Sequence, residues 1–120
     1  MVTLVSFDID GTLELGEPPG IITIEMVRNV QRRGCVIGSG SDRPLSYQRD
    51  LWKRLGIAAD FTALKHRLAE VKARIHAQTY YHIGDTDVDH DLATRGGFHF
   101  LHAVAAAHQW LLARAGEAIQ

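Results

Sequence analysis

The stretch Val2-Thr3-Leu4-Val5-Ser6-Phe7-Asp8-Ile9-Asp10-Gly11-Thr12 decides how the rest of the chain is read. Val2 to Ile9 is short, apolar and rich in branched side chains, and it stops at Gly11. That pattern predicts a buried strand followed by a tight turn. Asp8 and Asp10 then stand at the carboxyl end of the strand. Lying two residues apart, they would share a face of a regular strand and repel each other.

The same alternation recurs along the chain. Leu13 to Gly20, with Gly16, Pro18, Pro19 and Gly20, reads as a loop or small hairpin. Thr23 can cap a helix running to about Arg33, with Ile24, Val27 and Val30 on one face and Gly34 as its stop. Cys35 to Gly38 is a second buried strand passing into the polar turn Ser39-Gly40-Ser41-Asp42-Arg43-Pro44. A helix follows from Leu45 to Leu55, a strand from Phe61 to Leu64 and a helix from Lys65 to about Gln78. Tyr80 to Ile83 is the next strand and ends at Gly84-Asp85-Thr86; Val88 to Thr94 is a short helix. Phe98 to Leu101 is the last strand, and Val104 to Ala115 a terminal helix. This order predicts an α/β fold: a doubly wound, Rossmann-like, mostly parallel sheet of about five strands with helices on both faces.

The 120 residues suit a single domain spanning 1–120, without repeats or linker. Hydrophobic residues make up 46% and charged residues 22%, a globular composition. Thirteen basic and 14 acidic residues give a net charge of -1, so no global field draws nucleic acid or an anionic membrane. The single cysteine, Cys35, excludes an internal disulfide and lies in an apolar run, as a buried inert thiol would. No apolar stretch is long enough to suggest a membrane span, and a cytoplasmic location is the expectation.

In doubly wound sheets, ligands bind beyond the carboxyl ends of the strands. Three polar strand ends, Asp8/Asp10, Ser39/Ser41 and Asp85/Asp89, are therefore expected to meet on one edge. Clustered carboxylates are costly without a cation, and hard oxygen ligands of this kind suit Mg2+.

Two of these segments carry a family resemblance. Asp8-Ile9-Asp10-Gly11-Thr12 resembles the first motif of the haloacid dehalogenase superfamily. Gly84-Asp85-Thr86-Asp87-Val88-Asp89, followed by Ala93 and Gly96-Gly97, resembles its fourth. The second motif, a Ser or Thr after the second core strand, is matched by Ser41, with Ser39 as the alternative. The third, a Lys at a helix start, is matched by Lys65, with Lys72 as the alternative. The proline that commonly follows that lysine is replaced by His66.

The resemblance implies a phosphohydrolase acting on phosphate monoesters. Asp8 would be the nucleophile, forming an aspartyl-phosphate, and Asp10 would protonate the leaving oxygen and then activate water. Mg2+ would be held by Asp8, the main-chain carbonyl of Asp10 and Asp85, with Asp89 as a further ligand or orienting a metal-bound water. Ser41, Lys65, Gly11 and Thr12 would bind the phosphoryl group. An aspartate at position 10 favours phosphatase over dehalogenase chemistry. Related enzymes often insert a cap domain, but the segments from Thr12 to Thr23 and from Ser41 to Lys65 are too short for one. An open site of this kind implies a large substrate or a second copy of the chain as cover.

Other polar residues read as structural. The seven histidines, His66, His76, His82, His90, His99, His102 and His108, lack tight metal-ligand spacing and read as surface or satisfied core residues. Trp52 and Trp110 read as packing residues, and Arg43 as a loop ion pair or a phosphate contact. Two rival readings are a receiver-like phosphoacceptor module, with Asp60 as its closest mid-chain candidate, and a silent binding domain.

Overall fold

The computed structural model describes residues 2–109. Five strands, β1 Thr3–Phe7, β2 Val36–Ser41, β3 Phe61–Leu64, β4 Thr79–Gly84 and β5 His99–His102, form one sheet in the order β3-β2-β1-β4-β5. Every neighbouring pair is parallel. Helices α1 Ile24–Arg32, α2 Leu45–Leu55, α3 Leu68–Arg74, α4 Asp87–Arg95 and α5 Ala103–Gln109 connect or follow the strands. The expected doubly wound, Rossmann-like α/β fold is present. Its strand order also differs from the 2-1-3-4-5 arrangement of a receiver module.

Alternation along the strands divides the interior into two layers. Val5, Phe7, Ile37 and Ile83 face α1, α2 and α5, packing with Val27, Val30, Leu51, Trp52 and Ala106. Leu4, Ala63 and Tyr80 face α3 and α4, packing with Leu68, Val71, Ala93 and Phe98. Val5 and Phe7 are wholly enclosed, each contributing roughly 1.5–3 kcal/mol through burial. A polar substitution at Phe7 would therefore loosen the sheet directly beneath Asp8.

Local chemistry sets the helix ends. The Thr23 hydroxyl accepts the Met26 amide at 3.1 Å and starts α1. Helix α2 keeps its expected bounds, starting after Pro44 and stopping at Gly56. Several boundaries differ from expectation, most by a single residue, and β1 stops at Phe7 rather than Ile9. The second strand continues through Ser39-Gly40-Ser41, because those residues pair in register with Thr62, Ala63 and Leu64 of β3. Lys65–Arg67 form a 3-10 turn before α3, which ends at Arg74 because Ile75 is extended. The last part of the expected terminal helix, and Trp110 with it, falls outside the described residues.

The strand order reverses between β1 and β4, which opens a crevice where neighbouring connections diverge to opposite sides. Asp8 follows β1 and Asp85 follows β4, so the two flank this point. No inserted domain covers it among the described residues. No helix there is long and apolar enough to cross a membrane.

Candidate active site

At that edge, a cleft of about 360 Å³ is lined by Asp8, Asp10, Gly11, Pro18, Asp42, Lys65, Asp85, Thr86, Val88 and Asp89. A larger hollow of about 460 Å³ lies along β3, among Leu45, Phe61, Val71 and Ile75. Its lining includes Asp60 but none of the clustered carboxylates, which all line the smaller cleft.

Asp8, Asp85 and Asp89 each present a carboxylate oxygen within 4.8 Å of the others. Lys65 stands among them: its Nζ is 3.1 Å from Asp8 Oδ1 and 2.9 Å from Asp89 Oδ1. The 3-10 turn directly after β3 delivers this lysine to the crevice, and its side chain is only 7% exposed. Lys72 points elsewhere, donating to the Gly97 carbonyl at 3.1 Å. Of the two candidate lysines, the site therefore receives Lys65.

The two serines divide as clearly. Ser39 Oγ donates to Gln48 Oε1 at 2.6 Å and accepts Trp52 Nε1 at 3.0 Å, which commits its proton and an acceptor position inside the fold. Ser41 Oγ accepts the Arg43 amide at 3.0 Å, a bond that does not use its own proton. Trp52, only 2% exposed, is a packing residue as expected.

The first motif departs in part from expectation. The Gly11 amide bonds to Pro18 O at 2.6 Å and the Thr12 amide to Ile9 O at 3.1 Å, so neither backbone donor faces a phosphate. The Thr12 hydroxyl is 3.2 Å from Asp8 Oδ2 and 3.4 Å from Asp85 Oδ1, holding two carboxylates rather than a ligand. Gly11 has φ +77, and a Cβ built on it would fall 2.2 Å from Asp85 Oδ2. Glycine here both permits the turn and lets Asp85 reach the cleft.

Asp10 is paired away from the three-carboxylate group. Arg43 grips it with two bonds, Nε to Oδ2 at 2.8 Å and Nη2 to Oδ1 at 3.2 Å, and the Glu17 amide adds a third at 2.8 Å. Of the two expected roles for Arg43, the ion pair is the one formed. The Asp10 side chain thus stands apart from Asp8, Asp85 and Asp89, leaving its main-chain carbonyl as the part the resemblance assigns to metal.

These partners explain the ionisation of the acids. Burial, then the charge of Asp89, push Asp8 up to about 7, and Lys65 only partly opposes them. Burial also pushes Asp89 up, but His82 and Lys65 outweigh it and hold that carboxyl well below its usual range. The direction follows from the count of donors: Asp89 Oδ1 meets His82 and Lys65, while Oδ2 meets the Asp85 and Thr86 amides and the Thr86 hydroxyl. Asp8 has fewer donors and bears the cost of crowding. For Asp10, burial is outweighed by Arg43 and the Glu17 amide, which keep it low.

The residues present fit a divalent cation. Asp8 is inadequately neutralised by one lysine, and Asp85 carries a single side-chain hydrogen bond, the long one from Thr12. Asp89 has its oxygens occupied, which suits holding Lys65 or a metal-bound water better than direct ligation. Among the described residues no histidine joins this group.

His82 is the residue that sequence reading passed over. It is a satisfied core histidine as expected, fully buried, but its partners are Asp89 and Ser6. The available signal was its position in an apolar strand leading into Gly84-Asp85, two residues after the buried Tyr80 on the same face. Asp60, the receiver-type candidate, precedes β3 and accepts the Ile37 amide at 3.0 Å. Cys35 is half-buried, and burial raises its thiol pKa, in keeping with an inert thiol. Compared with protein-family models and with curated proteins, the chain has no significant match.

Proposed function

We propose that the chain is a magnesium-dependent phosphohydrolase of the haloacid dehalogenase type, acting on phosphate monoesters. The observation that carries this reading is Lys65 placed among Asp8, Asp85 and Asp89 at the topological switch point. An anionic nucleophile reaches an anionic phosphoryl group only where positive charge shields the approach. Lys65 supplies part of that charge.

In this reading Asp8 attacks phosphorus and the bond to the leaving oxygen breaks, giving an aspartyl-phosphate; water then releases phosphate. Bound Mg2+, held by Asp8, Asp85 and the Asp10 carbonyl, would supply charge neutralisation for the phosphoryl oxygens. Ser41 donates its free proton to one of those oxygens, and Lys65 neutralises another. Asp10 carries the proton to the leaving oxygen and later takes one from water. To do so it must part from Arg43, whose guanidinium is then free for the substrate.

The uncovered cleft favours a large substrate or cover from a second copy of the chain, and a phosphorylated protein, sugar or nucleotide remains compatible with it. The test is hydrolysis of p-nitrophenyl phosphate with and without Mg2+. Turnover should require the metal and disappear in Asp8→Asn. Metal-independent turnover, or activity retained by Asp8→Asn, would refute the reading. Persistent silence of the wild type across a phosphomonoester panel would favour the binding-domain alternative.

A further inference from the structure

The buried interior beneath the cleft contains a polar chain that the proposed chemistry does not use. Ser6 Oγ lies 2.9 Å from His82 Nδ1, and His82 Nε2 lies 2.9 Å from Asp89 Oδ1. All three side chains are fully buried. Asp89 Oδ1 in turn meets Lys65 Nζ at 2.9 Å, and Lys65 meets Asp8 at 3.1 Å. Resting on the hydrolase reading for its kinetic and Mg2+ arms, we propose that Ser6 and His82 form a buried positioning pair that sets the direction of the Asp89 carboxylate and so holds Lys65 between Asp89 and Asp8.

Strand pairing creates the juxtaposition. Ser6 and His82 are register partners in the parallel pair β1–β4, on the face covered by α3 and α4. Gly40 of β2 gives them room, since a Cβ there would lie 2.6 Å from Ser6 Oγ and 3.4 Å from His82 Cε1. Three strands therefore cooperate to bury two polar side chains that an apolar pair could replace. No described buried side-chain nitrogen or oxygen lacks a partner.

Donor accounting fixes the direction of each bond. An ionised Asp89 only accepts, so His82 Nε2 carries the proton that faces it. Nδ1 on the opposite side of the ring meets the Ser6 hydroxyl at 2.9 Å and accepts its hydrogen bond. Ser6 thus selects the tautomer that Asp89 requires, as carbonyls and carboxylates do for metal-bound histidines. The order Ser-His-Asp does not make Ser6 a nucleophile, because its oxygen is enclosed and no substrate reaches it.

Helix capping alone does not account for the arrangement. Asp89 caps α4 through Oδ2, which accepts the Thr86 amide at 3.3 Å and the Asp85 amide at 3.2 Å. Oδ1 takes no part in those bonds and meets only His82 and Lys65. With His82 gone, Oδ1 loses one of its two partners while Oδ2 keeps its cap bonds, so Asp89 holds Lys65 less firmly and Lys65 shifts toward Asp8, where it competes with a metal ion.

The test combines histidine-selective 15N NMR with the variants His82→Leu, His82→Gln and Ser6→Ala, each checked for folding by thermal denaturation. The wild-type ring should show a protonated Nε2 and an unprotonated Nδ1. Glutamine keeps an N–H donor near the position of Nε2; leucine does not. His82→Leu should lose about 10- to 100-fold in Mg2+ affinity by calorimetry and in kcat for p-nitrophenyl phosphate, with His82→Gln recovering most of both. Should His82→Leu fail to fold, Ser6→Ala against wild type reads the same effect more mildly. The Nδ1–H tautomer in the wild type, or folded variants with unchanged Mg2+ affinity, would overturn the proposal. A wild type that binds Mg2+ and shows these shifts but hydrolyses nothing would refute the hydrolase reading and leave the positioning pair standing.

Discussion

Magnesium binding to this protein should release a proton from Asp8, and the affinity should therefore depend on pH with a sign and size that follow from the site. Asp8 is pushed up to about 7 from an ordinary 3.8. Between those values the folded protein holds a proton that the unfolded chain has lost, so Asp8 weakens the fold as pH rises through that window. Asp89, held low, acts in the opposite sense and stays ionised across it. A cation bound at Asp8 must displace the proton. Below pH 7 each unit should cost about tenfold in affinity, and above it the dependence should flatten. From pH 7.5 to 5.5 the ionised fraction of Asp8 falls from about three-quarters to about 3%, a loss of roughly 25-fold or about 1.9 kcal/mol. Calorimetric titration with Mg2+ in two buffers of different ionisation enthalpy measures both affinity and protons released. Nearly one proton should leave at pH 5.5 and about a tenth of one at pH 8. Equal affinity at both ends of the range, with no proton released, would refute the placement of the metal at Asp8.

Three further outcomes follow from the same geometry. Gly11→Ala forces a Cβ toward Asp85 and a left-handed backbone on alanine; thermal denaturation should show about 1–2 kcal/mol lost from the backbone alone, with Mg2+ affinity lowered as Asp85 is displaced. Ser39→Ala should cost about 1–3 kcal/mol in urea unfolding by stripping Trp52 and Gln48 of a partner, yet leave kcat intact, whereas Ser41→Ala should do the reverse. Arg43→Gln should raise the midpoint of the Asp10 side-chain titration followed by 13C NMR, since Arg43 helps hold that carboxyl low; an unmoved midpoint would mean the ion pair does not form in solution.

Most of the fold was legible because strands β1, β3 and β4 are apolar runs bounded by glycine or polar residues, and α2 ends at a glycine. The misjudged part of β2 shows the limit. Ser39-Gly40-Ser41 has a turn-like composition, and only pairing with β3 makes it strand. That pairing also separates the two candidate serines, for it drives Ser39 toward Trp52 and leaves Ser41 at the strand end. The placement of Lys65 beside the carboxylates was legible for a related reason: Lys65 follows β3 immediately, while Lys72 is carried past the crevice by α3. Arg43 was harder, because a guanidinium in a loop reads alike as substrate contact or ion pair until Asp10 is seen beside it. His82 was hardest, since its role depends on the register of β1 against β4, and register is a property of two strands that neither segment states alone.

The candidate site is built in two unlike halves. Asp8, Asp89, Lys65, His82 and Ser6 are enclosed, and their hydrogen bonds are made within the fold. Asp10 and Arg43 lie nearer solvent, with side chains 30% and 35% exposed, and are held chiefly by each other. Charge stabilisation in phosphoryl transfer works best from groups that do not reorganise, because fixed dipoles and charges cost nothing when the transition state forms. Proton transfer has the opposite need, since the carrier must change partners between leaving oxygen and water. The enclosed half suits the first requirement and the exposed pair the second. Among the described residues a short loop rather than a cap borders Asp10 and Arg43 and leaves them accessible, so a partner covering the cleft in the proposed reaction would act first on that pair, before it alters the buried charges behind it.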